Sequence, residues 1–193
     1  METIDLGPAT EALARIVRGV RDDQLGDRTP CPAYAVADLL DHVGGLALAF
    51  QAAATKQRLE GEADPSGDGS RLEDGFRDRI TADLARLAEV WRDPAAYDGL
   101  TMAGPVELPA EVAVLVALNE VIVHGWDLAR ATGQPYDPGE TLVRACLGFA
   151  ESFEPPEEAA DGGLFGPAVA VADDAPSLDR LAGATGRDPA WTP

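Results

Sequence analysis

From Pro109 to Thr132 the chain holds no internal proline and is closed by Gly133, so this stretch commits to one long helix. At 1.5 Å per residue such a helix is roughly 36 Å long. Four other segments carry the same periodicity. The first starts near Pro8 and sets Leu13, Ile16, Val17 and Val20 on one side. The second runs from about Val36 to Ala54, with Leu39, Val43, Leu46 and Phe50 as its buried stripe; Ala35 stands where a polar cap is expected, and Asp38 suits the first turn. In the third, Ser70 and Glu73 read as a capping box, Leu72, Phe76, Ile80, Leu84, Leu87 and Trp91 repeat at steps of three or four, and Asp93-Pro94 ends the run. The fifth opens on Asp137-Pro138-Gly139-Glu140, again read as a capping box, and buries Leu142, Cys146, Phe149 and Phe153. Four long amphipathic helices and a shorter one predict an all-α bundle.

Two long connections argue against a simple up-down-up-down arrangement: a polar, glycine-rich one over 55–69 and an irregular crossover over 93–108. After Phe153 an acidic tail (Glu154, Glu157, Glu158, Asp161, Asp173, Asp174) is expected to wrap the bundle. Its anchors are Leu164, Phe165 and a short helix near Leu178 and Leu181. No internal repeat or second domain is visible, so residues 1–193 read as one domain with 154–193 as its tail.

Composition narrows the function. Fifteen Lys and Arg face 34 Asp and Glu, a net charge of −19 that repels nucleic acid and anionic membranes alike. The most apolar run, Val112 to Leu118, stops at Asn119 and Glu120, short of a membrane span. An acidic N-terminus without a signal-peptide pattern and only two cysteines, Cys31 and Cys146, predict a cytoplasmic protein. Lys56 is the only lysine and alanine abounds, a bias typical of a GC-rich genome. No nucleophile elbow, phosphate loop, dinucleotide fingerprint or Cys-x-x-Cys pair is present.

The only two histidines both fall at core positions. His42 has Leu39 three before and Leu46 four after; His124 has Val121 three before and Leu128 four after. Glu120 precedes His124 by one turn on a face otherwise marked by Val116, so carboxylate and imidazole project together. A carboxylate on an apolar stripe needs compensation, and a divalent metal would satisfy Glu120 and both imidazoles at once. Two His and one Glu from facing helices leave positions open for water or substrate, unlike closed structural zinc sites. The plainer reading is a hydrogen-bonded Glu–His pair and a satisfied core histidine.

Other residues stay ambiguous. Gly45, three after His42, leaves room for a thiol or for close helix packing. Asp127 either orients His124 or pairs on the surface with Arg130; Trp126 either packs under the tail or lines a pocket. Cys31, between prolines, reads as a packed turn residue, and Cys146 as an inert core thiol.

Thr29-Pro30-Cys31-Pro32, Asp38-Leu39-Leu40-Asp41-His42-Val43 and the run Val123-His124-Gly125-Trp126-Asp127-Leu128-Ala129-Arg130-Ala131-Thr132-Gly133 resemble the mycothiol-dependent maleylpyruvate isomerase N-terminal family, part of the DinB-like group of metal-binding four-helix bundles. Leu178-Asp179-Arg180-Leu181 and Gly186-Arg187-Asp188-Pro189-Ala190-Trp191 look like its actinobacterial members. The resemblance implies a DinB-like four-helix bundle with an additional short helix and an irregular C-terminal tail. It implies a divalent metal, zinc foremost and nickel second, on His42, Glu120 and His124. It also implies a small thiol cosubstrate, mycothiol or another, for an S-transferase or isomerase-like enzyme acting on an electrophile.

The family's isomerases carry a further C-terminal domain that helps bind a dicarboxylate, and this chain is expected to end where that domain would begin. A charge of −19 also suits a dianion poorly, so S-transfer to a more neutral electrophile is the expectation. The alternative is a non-catalytic bundle that binds metal or a small ligand and serves as an interaction module. A homodimer is left open.

Overall fold

The computed structural model of the chain describes residues 3–57, 66–104, 106–152 and 166–193. Six helices account for most of it: α1 (Gly7–Gly19), α2 (Val36–Thr55), α3 (Phe76–Val90), α4 (Ala110–Thr132), α5 (Glu140–Ser152) and α6 (Ser177–Ala184). Each of α1 and α2 packs against both α3 and α4, so α1 lies across the bundle from α2 and α3 from α4, while α2 and α3 are neighbours. The all-α, DinB-like expectation holds, and so does the departure from simple up-and-down order. One continuous core runs through all six helices, with Leu13, Leu39, Ile80, Leu84, Ile122, Leu128 and Leu181 fully buried. Trp91 at the end of α3 is sealed from solvent and donates its indole N–H to the Phe50 carbonyl (3.1 Å), tying α3 to α2.

The crossover expected to be irregular contains a small antiparallel hairpin, β1 (Leu100–Ala103) with β2 (Val106–Pro109). Thr101 is its buried anchor, donating to Ala53 of α2 at 2.7 Å, and Gly104 takes the left-handed conformation (φ 59°) where the chain turns. Four-residue strands give too few alternations to register as a period.

Two helix starts also differ from expectation. Asp68, not Ser70, accepts the capping bond, receiving the Ser70 N–H at 2.9 Å to close a 3-10 turn over Gly69–Arg71. The chain then breaks at left-handed Gly75 (φ 81°), so α3 begins at Phe76 while Leu72 still packs on the core. At α5, Asp137 caps Gly139 N–H (3.0 Å), but Glu140 turns to Arg144 and Ser177 instead of back to the chain, so no reciprocal box forms. At α2, Asp38 returns to the Ala35 N–H at 3.0 Å and replaces the missing polar cap.

Helix α4 is long and apolar enough to cross a membrane, yet 83% of that window is buried inside the bundle. Cys146 is buried at the α4–α5 contact, and burial pushes its thiol up to about 12, consistent with an inert core group. Phe153, Glu154, Glu157, Glu158, Asp161, Leu164 and Phe165, named above as core or tail residues, lie outside the described residues. Beyond them α6 does form, with Leu181 fully buried.

Two glycines illustrate how tightly the site helices are held. A Cβ at Gly125 would overlap the hydroxyl end of Tyr136, which donates to the Val121 carbonyl of α4, whereas a Cβ at exposed Gly45 would meet nothing within 4 Å. Gly45 thus serves neither helix packing nor any contact seen here; its neighbour Gly44 is the one in contact with Ile80 of α3. We therefore expect Gly125→Ala to destabilise by about 1–3 kcal/mol through overpacking. Gly45→Ala should stabilise by about 0.5–1 kcal/mol through helix propensity. Urea unfolding of the two variants measures both; equal effects would contradict this packing.

Candidate metal centre

The α4 stripe that builds the core also carries Glu120, His124 and Asp127, and α2 presents His42 across from it. One donor atom from each of His42, Glu120 and His124 lies within 4.8 Å of the others. The imidazoles meet edge to face, centroids 5.0 Å apart and planes at 80°, and the Tyr34 ring lies tilted by 36° against His42 at 5.1 Å. Tyr34 is placed by the loop before α2, where the Thr29 hydroxyl sits 2.9 and 2.8 Å from the carbonyls of Cys31 and Tyr34. The segment 66–71 closes against the same end of α2: Gly67 N–H meets the Tyr34 hydroxyl at 3.2 Å, and Gly69 N–H donates to Asp38 at 2.8 Å.

His124 is held at both nitrogens. Nε2 lies 2.9 Å from Glu120 Oε2 and Nδ1 lies 3.1 Å from Asp127 Oδ2. Burial alone would lower its pKa; the hydrogen bonds to Asp127 and Glu120 and their charges overcome this and raise it to about 9. Burial works in the opposite direction on Glu120, but the His124 hydrogen bond and the positive charges of His124, His42 and Arg187 hold the carboxyl below its ordinary range. Without a metal, then, an imidazolium bridges two carboxylates. Beside Glu120, a recess walled by Leu13, Val43, Leu46, Ala47, Phe50 and Leu84 offers about 10 Å³, room for one water. His42 and Glu120 remain partly exposed, whereas His124 is buried.

Asp127 is fully buried, and of its two expected roles the structure selects the contact with His124. Arg130 instead donates to the carbonyls of Pro189 (2.6 Å) and Trp191 (3.0 Å) and lies over the Trp126 ring. Trp126 is buried and shares with Leu178, Leu181 and Ala182 of α6 the lining of a recess too tight for water, so it lies under the tail and opens onto no usable pocket there. Cys31 is partly buried; desolvation, with the negative charges of Asp127 and Glu120, raises its pKa against the opposing pull of Arg187, which suits a packed turn residue rather than a nucleophile. Sequence reasoning missed Arg187. Its Nη2 and Nε reach Asp127 at 3.1 and 3.4 Å from sixty residues away, and no spacing rule links the two.

Residues 6–129 match the family described as the mycothiol maleylpyruvate isomerase N-terminal domain. The chain belongs to this family. Two uncharacterised proteins from two strains of Mycobacterium tuberculosis are each 31% identical to it over 179 residues, covering 93% of either partner. Crystal structures of the mycothiol-dependent maleylpyruvate isomerase and of a histidine-to-alanine mutant share its fold, with TM-scores of 0.57 at 22% and 21% identity. They match 74% of this chain, which spans 65% of the isomerase's length.

The bridging imidazolium has a consequence for the metal-free protein. Its folded pKa of about 9 exceeds the ordinary 6.5, so the stability it contributes is complete below pH 6.5 and is lost as pH rises through 9. We expect urea stability of the metal-free protein to decline across that window and His124→Gln to flatten the decline. An unchanged slope in His124→Gln would assign the pH dependence to other groups.

Proposed function

We propose that His42, Glu120 and His124 hold a divalent metal, zinc or nickel, in a thiol-dependent enzyme that transfers sulfur to an electrophile or isomerises it. The observation that carries this reading is the convergence of the three donors, from two helices, to within 4.8 Å on an otherwise apolar stripe. The donor set suits such an ion: two imidazoles and one carboxylate, with no lysine or arginine bonded to Glu120 among the described residues. A bound divalent ion lowers the pKa of a thiol that joins it, so that a small thiol such as mycothiol is present as thiolate at neutral pH.

The chain's own residues do the rest. Asp127 accepts from His124 Nδ1 and leaves Nε2 as the coordinating atom. Val43, Leu46 and Phe50 give Glu120 an apolar inner wall, with room for a single water beside it. In S-transfer the thiol's proton passes to solvent, the sulfur lone pair forms the new C–S bond, and the displaced electron pair departs with the leaving group. The strong acidity of the chain favours a neutral electrophile over a dicarboxylate such as maleylpyruvate.

Elemental analysis of the purified protein should give about one equivalent of zinc or nickel, lost in both His42→Ala and His124→Ala while the helical spectrum persists. Calorimetric zinc titration of the metal-free protein at neutral pH, in buffers of differing ionisation enthalpy, should show release of about one proton, because His124 is protonated below about 9. A parent protein that takes up no metal when zinc or nickel is supplied would reduce the three residues to a hydrogen-bonded core cluster.

A further inference from the structure

The Asp127 carboxylate is 0% exposed and would be costly without a cation. That cation comes from the segment after α6, beyond the residues that match the family. Arg187 Nη2 and Nε address the two Asp127 oxygens, and Nη1 donates to the Thr185 carbonyl at 2.8 Å, so the guanidinium is pinned on three sides. The local turn is built to deliver it. Thr185 is fully buried and its hydroxyl returns to the Leu181 carbonyl (2.9 Å); Gly186 is left-handed (φ 85°); the Arg187 N–H closes on Ala182 at 2.8 Å. One turn along α4, Arg130 grips Pro189 and Trp191, so adjacent turns of the helix hold the same arm.

We propose that Arg187 is the positioning residue of the centre: its guanidinium holds the Asp127 carboxylate, and through it fixes the His124 ring with Nδ1 protonated and Nε2 facing Glu120 and His42. A carboxylate can only accept, so Asp127 keeps a proton on Nδ1 whether or not Nε2 carries one as well. Stripped of Arg187, a fully desolvated Asp127 loses the cation that holds it in place and is free to turn away from His124, and that instruction is lost. The consequence for metal affinity rests on the metal reading above; the orientation of His124 does not.

The test uses the full chain with Arg187→Met, Arg187→Lys and the double variant Asp127→Asn/Arg187→Met, which leaves no unpaired buried charge. Imidazole nitrogen NMR of the metal-free proteins, assigned through His42→Gln, reads the His124 Nδ1 proton directly. In the parent it should appear as a slowly exchanging, hydrogen-bonded signal. That signal should vanish in Arg187→Met and in the double variant, and return in part in Arg187→Lys. Zinc competition should show affinity about 10–100-fold weaker in Arg187→Met, the range typical of lost second-layer contacts. Parental NMR signals and zinc affinity in Arg187→Met, with only a lower melting temperature, would overturn the proposal and leave a fold-holding ion pair. If Arg187→Met does not fold, the double variant decides by the same two readouts. A parent that binds no zinc, while Arg187→Met loses the Nδ1 signal, would sink the metal reading and sustain the positioning role.

Discussion

Every feature of the centre follows from placing ionisable groups on the buried face of α4. A helix whose Val116, Ile122 and Leu128 build the core gains from leaving water, while Glu120, His124 and Asp127 on the same helix lose by it. The fold answers by stringing them together: Arg187 to Asp127, Asp127 to His124, His124 to Glu120, with His42 completing the cluster from α2. Two carboxylates, one guanidinium and one imidazolium cancel in charge when His124 is protonated. The string therefore closes electrically without any metal.

The fold was legible to the degree that periodicity and capping are local. Steps of three and four through Leu39, Val43 and Phe50, or Ile80, Leu84 and Leu87, mark buried faces because a helix repeats every 3.6 residues whatever surrounds it. Starts were less legible. Ser70 and Glu73 satisfy a capping pattern in the sequence, but Asp68 competes for the same N–H and Gly75 imposes a left-handed break, so the helix waits until Phe76. The hairpin escaped notice because Thr101 is held by a bond to Ala53 on a distant helix, a tertiary contact with no local trace.

The centre divides along the same line. His42, Glu120 and His124 were readable because polar groups at core positions conflict with their surroundings, and such conflict is visible in one dimension. Asp127 was half readable, since its spacing from His124 and from Arg130 permits either contact and only burial decides. Arg187 was readable only within the Gly186-to-Trp191 resemblance and without a role: an arginine in an acidic tail is ordinary until the turn after α6 brings it to Asp127.

The charge arithmetic of the assembled site bears on the ligand it would favour. Asp127 and Arg187 neutralise one another, leaving the three-donor face with a single negative charge from Glu120 once both imidazoles are neutral. A divalent cation there brings the sum to one positive charge, and one thiolate brings it to zero. A second anion would exceed neutrality inside a chain already at −19, where nearby surface charge offers no relief. A dicarboxylate substrate would have to import its own cations, as an added domain rich in arginine could do. Of the arginines around the centre, Arg187 is paired with Asp127 and Arg71 with Asp41, while Arg130 donates to the Pro189 and Trp191 carbonyls. Under the function proposed above, this balance would suit one anionic sulfur and an uncharged carbon partner.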